Sequence, residues 1–518
     1  QGMACRKLRQ ALEGVRMKSR LKEGRTWIAL ALAGAVCWFV YPVMRVGVFL
    51  AIDPAGNNSE ILLTDDRADD ASGLNAVSHK GIIRLTSDLA DTEKLLRETL
   101  DRARTEKLSV VPFGARHSMG KQALREGALH VDTSGFNHLE MDGELLRAQA
   151  GARWSKVIKF LAERGLTVEV MQSNNDFSIG GTLSVNAHGW QPDRPPVAST
   201  VEKFRLMLPD GSIRECSRTE ETKLFRHALG GYGLFGIILD AWIRPAPNEI
   251  LRSKHVIMSA DQFAEGWKAA TEGKARLAYG RLSVAPSTFF QEVMLTTYQP
   301  TGEVQPTWKP QERDDWMTKV ARATFRASLG SQRGKGFRWF LEKNIGGEAS
   351  GSHPRSYLLN EPAWVFANAD PKKTDLLMEF FVPCKRFAEF AEAARKILES
   401  QADDLMNVTI RQVKKDTDTA LPYAKQDVFG FVMMFTVERS QKGAASLEGR
   451  ARRMTEEALK LGGSFYLPYR NYATPGQLMR AYPEFPLFVK EKQAIDPTYL
   501  FTNGFFDHYA QALDRPVE

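Results

Sequence analysis

The sequence predicts an α+β fold of more than one domain, with a membrane segment near its N-terminus. Three observations support this prediction. Between residues 79 and 247, short apolar runs alternate with amphipathic helical patterns, which is typical of a sheet with helices on its outside. Past Pro247 the chain changes to longer apolar-rich strands and helices. Finally, Trp27 to Met44 is almost wholly apolar, long enough to cross a bilayer as a helix.

The composition is that of a folded globular protein, with 43% hydrophobic and 25% charged residues in a chain of 518. The net charge of +8 suits a nucleic acid or an anionic membrane surface. Because we find no nucleic-acid motif and much of the excess lies near the apolar segment, we expect the membrane. The four cysteines are scattered, with neither metal-ligand spacing nor a disulfide framework, so no metal site is expected.

The N-terminal charge distribution predicts an uncleaved signal anchor. Residues 1–26 carry eight lysines and arginines against two glutamates, and the anchor covers residues 27–52. By the positive-inside rule the basic N-terminus stays cytoplasmic and the body is extracytoplasmic, for example periplasmic. A cleaved signal peptide is the alternative. Residues 53–78 are polar and predict a linker or a surface loop.

The elements that follow form the first domain, residues 79–247. A helix begins at Ser87, which is its candidate N-cap, and a Pro-Asp-Gly turn after Leu206 predicts a hairpin. The other elements are the strands Ile82–Leu85, Leu108–Pro112, Thr167–Met171 and Phe235–Arg244, and the helices Ser155–Arg164 and Glu220–Leu229.

Three segments rich in small residues interrupt this domain. The first, Val111–Lys121, reads Val-Pro-Phe-Gly-Ala-Arg-His-Ser-Met-Gly-Lys, and the others are Asn174–Gly189 and Gly230–Ile238. Small residues let a backbone approach a phosphate, and turned N–H groups form a nest for anions. His117 stands where its side chain could reach the molecule that carries those phosphates.

The order of these segments resembles the FAD-binding domain of the vanillyl-alcohol oxidase and p-cresol methylhydroxylase (PCMH) superfamily. The resemblance covers about Ile82 to Pro247 and a C-terminal return, residues 464–518, with its Asp-Pro…Phe-x-Asn tail. It implies a two-part FAD-binding domain and an antiparallel cap, residues 248–463, over the flavin. The residues it places at FAD are Phe113, Gly114, Ala115, Arg116, His117, Ser118, Met119, Gly120, Ser178, Gly180, Gly181, Thr182, Ser184, Asn186, His188, Gly189, Gly236, Ile237, Ile238 and Asn503.

The Gly-Ala-Arg-His-Ser version of the first loop is most similar to alditol and aldonolactone oxidases. There the matching histidine is bonded to the flavin, which implies a covalent bond to His117. A histidine that only hydrogen-bonds the flavin or pyrophosphate is the alternative. The second segment has no cysteine, so we expect no second covalent bond.

The resemblance also implies catalytic candidates. Glu379 lies in a cap strand that faces the substrate in the aldonolactone and decaprenylphosphoryl-ribose oxidases, and His188 matches a residue beside the flavin or substrate. Thr409 and Arg411 share one strand face, since strand side chains alternate. Alditol oxidases have Glu-Ile-Arg there, so Thr409 departs from the family. That departure puts polyol or aldonolactone specificity in doubt.

Family members carry a lysine where this chain has Tyr469 and Arg470. Which of the two replaces it stays open. Arginine is no base at neutral pH, whereas tyrosine can relay a proton, so we assign charge stabilisation to Arg470 and proton relay to Tyr469.

Two further cap segments, Trp316–Arg326 and Lys335–Lys343, interleave cationic residues with Trp and Phe. This pattern suits a membrane interface, or equally a cap helix with aromatic residues in the core.

The sequence therefore predicts a membrane-anchored FAD-dependent oxidoreductase. It would oxidise a C–OH group of a sugar, polyol or lipid-linked sugar by hydride transfer to flavin N5, with oxygen or a quinone as acceptor and no nucleic-acid partner. The alternatives are a C=C reductase like the sterol Δ24-reductases, which lack the histidine loop, and a non-catalytic flavin-binding scaffold.

Overall fold

The first sheet of the protein carries the histidine loop at the end of one of its strands. The computed structural model describes residues 40–52, 61–304, 316–344, 351–399 and 404–510. Three parallel strands pair in the order β3-β5-β4, and β4 ends at Phe113, where the loop begins. The strands up to residue 247 are β1 (Arg67–Ala68), β2 (Val77–Ser78), β3 (Gly81–Arg84), β4 (Val110–Phe113), β5 (Leu129–Asp132), β6 (Leu139–Asp142), β7 (Leu145–Gln149), β8 (Leu166–Val168), β9 (Val201–Met207), β10 (Ile213–Ser217), β11 (Ile237–Ile243) and β12 (Pro245–Pro247).

A second, antiparallel sheet of five strands has the order β10-β9-β11-β7-β6. The predicted hairpin joins β9 to β10, and Leu208 N donates to Ser212 O across its turn. Strand β11 is buried along its whole length, so its side chains contribute to the core on both faces of this sheet. The helices of this half are α2 (Leu89–Glu106), α3 (Trp154–Ala162), α4 (Ile179–Ser184) and α5 (Thr222–Ala228).

The third sheet has eight antiparallel strands in the order β16-β13-β15-β14-β18-β19-β17-β20. Its last strand lies just beyond the boundary predicted at residue 463. The strands are β13 (Glu249–Ser259), β14 (Leu277–Leu282), β15 (Glu292–Val304), β16 (Ser352–Pro354), β17 (Lys373–Pro383), β18 (Leu405–Val413), β19 (Val428–Glu438) and β20 (Ser464–Phe465).

Helices cover this sheet and lead the chain back to the first one. They are α6 (Phe263–Thr271), α7 (Trp316–Ala327), α8 (Gln332–Asn344), α9 (Arg355–Leu359), α10 (Phe387–Leu398), α11 (Gln441–Lys460), α12 (Pro475–Ala481), α13 (Phe485–Ile495) and α14 (Gly504–Ala510). After α13, Val110 N donates to Leu500 O, so the C-terminal segment adjoins the strand that leads into the histidine loop.

Three local features differ from the sequence predictions. Helix α2 is capped by Asp88 rather than Ser87, because the Asp88 carboxylate accepts from Asp91 N at 2.8 Å. A short helix, α4, lies inside the second small-residue segment, where only a loop was expected.

The third difference concerns residues 53–78, predicted as a linker or surface loop. Residues 64–67 are exposed, as a surface loop would be, but the residues that follow pack against the histidine loop, with Asp69 and Asp70 buried. Asp70 accepts from Asn75 Nδ2 and from Lys121 N, so these polar residues are internal partners rather than solvated ones.

The first half of the predicted anchor, residues 27–39 of 27–52, lies outside the described residues. Residues 40–52 form a helix, α1. Within the part of the chain that the structure describes, no helix is both long and apolar enough to cross a bilayer.

Candidate functional site

A cavity of about 1170 Å³ lies between the small-residue segments and the eight-stranded sheet. Its walls are formed by residues from within the segments 113–119, 176–188, 232–238 and 363–379, together with residues of β18, β19 and the segment after β20. Binding sites of drug-sized ligands reach about 1,000 Å³. The cavity therefore has room for a dinucleotide and a small substrate together.

The histidine loop is held in an uncommon backbone state by its own arginine. Arg116 adopts φ 55°, a left-handed conformation that costs free energy for a residue with a side chain. Its guanidinium donates to Ile61 O, Leu62 O and Asp69 O, which offsets that cost. Left-handed residues within a turn are the geometry from which anion-binding nests are built.

His117 lines the cavity beside an aromatic ring and a carboxylate. Its imidazole stacks on Phe177, with ring centroids 4.2 Å apart, and its Nε2 lies 3.6 Å from Asp176 Oδ2. Burial lowers the pKa of His117, Asp176 opposes that shift, and Arg153 and Arg116 add to it. The imidazole is therefore neutral near pH 7, with one ring nitrogen free to act as a nucleophile.

The second segment closes tightly on the first. Ser178 caps α4 by accepting from Gly181 N at 3.3 Å. A Cβ at Gly114 would lie 2.0 Å from Ser178 Oγ, and one at Gly180 would lie 2.9 Å from Ala150 Cβ. Both positions require glycine because other atoms already occupy the space of a side chain.

These loops fit the predicted cofactor on two grounds. Glycines at the contact of the two loops leave backbone at the cavity wall, as close approach to a pyrophosphate demands. Two arginines, Arg116 and Arg153, line the same wall and can neutralise phosphate charge.

A buried charged cluster lies at the other end of the cavity. Glu379 on β17 and His188 after α4 are 3% and 5% exposed, and His188 Nε2 lies 2.8 Å from Glu379 Oε1. Among the described residues, His188 Nδ1 and Glu379 Oε1 have no hydrogen bond of good geometry. Because buried polar atoms are normally satisfied, these atoms are suited to bind a substrate or cofactor.

Arg411 and Tyr469 complete this cluster. Burial lowers the pKa of Arg411 and the nearby Glu379 carboxylate opposes that shift, so the guanidinium is a buried positive charge. Burial, and then Glu379, raise the pKa of Tyr469 far above its ordinary value. Tyr469 is consequently neutral, so any part it has in proton relay is through its hydroxyl and not through a phenolate.

The Thr409 position has a cross-strand partner. Arg281 on β14 is paired with Thr409 on β18, so the two side chains share one sheet face. Arg281 donates to Asn407 Oδ1, and Asn407 Nδ2 donates to Thr409 Oγ1 at 3.1 Å. Asn407, Thr409 and Arg411 all line the cavity from the one strand.

Most of the residues predicted at FAD or substrate line this cavity, but five do not. Asn186 donates to Asp416 and accepts from Ala198 N, and Asn503 donates to Tyr232 O and accepts from Phe506 N. Both amides are satisfied within the protein, so they position loops instead of facing a ligand. The five residues outside the lining are Gly120, Asn186, Gly189, Arg470 and Asn503.

Neighbouring backbone explains the placement of two of the remaining three residues, and an aromatic ring lies beside the third. A Cβ at Gly120 would lie 2.4 Å from Tyr469 O, and one at Gly189 would lie 1.9 Å from Met171 O. Arg470 lies next to the Tyr472 ring, 5.6 Å from its centroid, and away from the cavity. Of the pair that replaces the family lysine, Tyr469 is thus the residue at the cavity.

Several site residues were missed by the sequence analysis. Arg153, Asp176 and Phe177 surround His117, and Tyr466 lines the substrate end. Asp176 and Phe177 directly precede Ser178, so their position in the second segment was an available signal. No group of three or more His, Cys, Asp or Glu suited to a metal occurs in the part of the chain that the structure describes.

Comparison with known proteins matches residues 88–217 to the family described as FAD binding domain. The chain is 27% identical over 189 residues to a D-arabinono-1,4-lactone oxidase of Debaryomyces hansenii, covering 33% of this chain and 34% of that protein. It is 25% identical over 247 residues to the mitochondrial L-galactono-1,4-lactone dehydrogenase of Arabidopsis thaliana, covering 47% and 39%. It is 30% identical over 177 residues to cytokinin dehydrogenase 2 of the same plant, covering 34% and 35%.

The chain thus spans between a third and two fifths of the length of these curated relatives. The matched region contains the histidine loop, α4 and the β9–β10 hairpin. The resemblance found in the sequence is confirmed for this region: residues 88–217 match an FAD-binding domain, and FAD is the cofactor.

Proposed function

We propose that this protein is an FAD-dependent oxidoreductase that oxidises a C–OH group of a sugar, polyol or lipid-linked sugar. One observation carries the proposal. A single cavity joins the glycine-lined FAD loops to the buried cluster of His188, Glu379, Arg411 and Tyr469. Oxidising an alcohol requires a hydride acceptor, a group that takes the hydroxyl proton, and positive charge near the developing alkoxide.

When bound, FAD supplies the hydride acceptor at its N5 atom. Glu379 accepts the hydroxyl proton on a carboxylate oxygen, and the His188 imidazole lies 2.8 Å from that carboxylate. The positive charge of Arg411 stabilises the alkoxide, and burial strengthens this electrostatic attraction because it lowers the local dielectric constant. The Tyr469 hydroxyl donates a hydrogen bond to the substrate, because its raised pKa keeps it protonated. The enclosed position of this cluster excludes bulk water from the proton transfer.

The relatives support an alcohol as the reacting group, since two are named for lactone oxidation or dehydrogenation. Thr409 argues against the polyol specificity of the alditol oxidases, which carry a carboxylate at that position. With Thr409 and Asn407 at the cavity beside Arg411 of the same strand, this wall offers neutral and cationic groups to the substrate. Oxygen or a quinone is the proposed electron acceptor.

We also propose that His117 forms a covalent bond to the flavin. Its neutral imidazole, stacked on Phe177 at the cavity wall, supports this role. Attachment to a membrane through the N-terminal segment is a further part of the proposal, supported by its basic residues and apolar run. An extracytoplasmic body follows only if that segment spans the bilayer.

Acid precipitation of the purified, flavin-loaded protein tests the covalent bond. We expect the yellow colour to stay in the pellet, and His117→Ala to move it to the supernatant while the native variant still binds FAD. Release of all colour from the wild-type protein would refute the bond.

Incubation with candidate alcohols in the absence of oxygen tests the activity, because oxidation of the alcohol reduces the flavin and so bleaches it. Bleaching by NADPH but by no alcohol would favour a reductase instead.

A further inference from the structure

The exposed apolar side chains of this protein concentrate on three helices. Thirteen large apolar side chains are exposed among the described residues, and nine of them lie on α1, α7 and α8. The highest exposures are 70% for Ile52, 69% for Trp316, 65% for Met317 and 64% for Met44. Scattered single residues of this kind are ordinary, whereas a cluster marks an interaction surface.

Helix α1 presents apolar side chains outward as well as inward. Pro42 is buried and Arg45, Val46, Phe49 and Leu50 are partly buried, which is one face at helical spacing. The opposite face is exposed and apolar. Because both faces are apolar except at Arg45, α1 lacks the polar outer face that a helix on a water-exposed surface has.

Arg45 fixes α1 to the body of the protein. Its Nε donates to Ala327 O and its Nη2 donates to Leu329 O, each at 2.9 Å. These carbonyls lie at the C-terminal end of α7, where the helix leaves acceptors without internal partners. Residues 40–52 are therefore attached to the α7–α8 hairpin instead of standing free of it.

The charge of these three helices is almost entirely positive. They carry eight cationic side chains and one carboxylate, Glu342, which pairs with Arg338 at 3.3 Å. On α8 the exposed Arg333 and Phe340 are seven residues apart and share a face. Of these cations, Arg333 is exposed and Arg45, Lys319 and Lys343 are partly buried, so these four can reach a lipid surface. The other four, Arg322, Arg326, Lys335 and Arg338, are buried within the protein.

We infer that α1, α7 and α8 form a platform that lies on an anionic phospholipid bilayer. Apolar and aromatic side chains beside lysine and arginine are the composition of helices that bind in the interface plane. The apolar residues 27–39 directly precede α1, so the chain reaches the platform from a segment of the same character. This inference goes beyond the membrane attachment proposed above, on which it rests, because it puts the body itself against the lipid.

The platform also adjoins the cavity. Arg322 on α7 donates to Val365 O at 2.6 Å, and Arg326 donates to Phe366 O and to Asp375. Trp364, Phe366 and Asp375 line the cavity wall. A lipid-bound α7 would therefore place this wall at the depth of the headgroups, where an amphiphilic alcohol resides.

Photolabelling of the full chain in nanodiscs tests the platform. The discs contain phosphatidylcholine, a minor fraction of phosphatidylglycerol and a phospholipid with a photoactivatable headgroup-proximal diazirine. We expect labelled peptides from residues 40–52 and 316–344. In the variant Trp316→Ser, Met317→Ser, Phe340→Ser, labelling of 316–344 should fall about tenfold, because the apolar contact is removed. The matched control, Val256→Ser with Ile257→Ser, removes exposed apolar residues on β13 and should leave labelling unchanged.

A charge variant tests the preference for anionic lipid. Arg333→Glu should reduce the gain in labelling from phosphatidylglycerol about fivefold or more, since each cation near the surface contributes a factor of that order. Label confined to residues 27–39, equal label at Val256 and Ile257, or cross-links between the α7 helices of two copies would overturn the platform. Failure of the chain to enter the discs would refute the attachment itself. None of these readouts depends on flavin or activity, so they are separate from the proposed reaction.

Discussion

Replacing Glu379 by glutamine removes the proposed proton acceptor with almost no change in shape. The carboxylate is 3% exposed, and its Oε1 lies 2.8 Å from His188 Nε2. Glutamine keeps the side-chain length and can still contact His188. It cannot accept the hydroxyl proton of an alcohol at neutral pH.

The substitution should lower both the rate of flavin reduction and the stability of the protein. A positioned general base contributes a factor of about 10² to 10⁴, and we expect the rate constant of flavin reduction to fall by about 10³. Stability should fall by about 1 to 3 kcal/mol, because His188 and the buried Arg411 lose a negative neighbour. FAD binding should be unchanged, since the loops that hold the cofactor lie at the other end of the cavity.

Anaerobic stopped-flow measurement of flavin absorbance after mixing with alcohol is the direct assay. Glu169→Gln is the matched control. Glu169 is also a buried carboxylate, 2.8 Å from Arg244, but it does not line the cavity. The control should lose stability and keep its rate of flavin reduction. A Glu379→Gln protein that reduces its flavin as fast as wild type would refute the assignment of the base.

Three further predictions concern stability, cofactor retention and specificity. Burial, and then His79, lower the pKa of His130 to about 4. As the pH drops from about 6.5 to about 4, His130 takes up a proton in the unfolded chain before it does so in the folded protein. The free energy of unfolding therefore falls by up to about 3 kcal/mol over this range. Denaturant titrations at several pH values should show this slope, and His130→Gln should remove it; an unchanged slope would contradict the pKa. In the His117→Ala background, where FAD is held without a covalent bond, Gly114→Ala should weaken FAD retention at least about tenfold in a dialysis assay, because its Cβ would meet Ser178 Oγ at 2.0 Å. Gly449→Ala, where a Cβ meets nothing within 4 Å, is the control and should retain FAD. Thr409→Glu, facing Arg281, should raise kcat/KM for a neutral polyol about tenfold. No gain would show that this position does not select the substrate.

The FAD loops could be predicted from sequence because their chemistry is local. Val111–Lys121 contains the strand end, the glycine and the histidine in a single run, and the structure keeps them together. The alternation that put Thr409 and Arg411 on one strand face also held, since β18 is regular over both residues. The ends of the strands and helices in the structure differ by one to three residues from the predicted ones, as at α2, where Asp88 rather than Ser87 provides the cap.

What could not be predicted depends on contacts between distant segments. Arg153, Asp176 and His117 meet only because Ala152 O accepts from Ile179 N and the second segment folds back onto α3. The polar composition of residues 61–78 suggested solvent exposure, but the carboxylates of Asp69 and Asp70 are buried and hydrogen-bonded inside the protein. Tyr469 and Arg470 are adjacent in sequence, and only the path of the backbone decides which of them faces the cavity.

The two ends of the cavity are linked through one short segment. Met119 N donates to Pro468 O at 2.8 Å, two residues after His117 and just before Tyr469. Gln122 Nε2 donates to Leu467 O at 2.6 Å and to Tyr469 O at 3.2 Å. The loop that carries His117 and the segment that carries Tyr469 are therefore held in register by backbone carbonyls. Because hydride transfer depends on placement to within a fraction of an ångström, this link lets one loop position both the cofactor and the groups that act on the substrate.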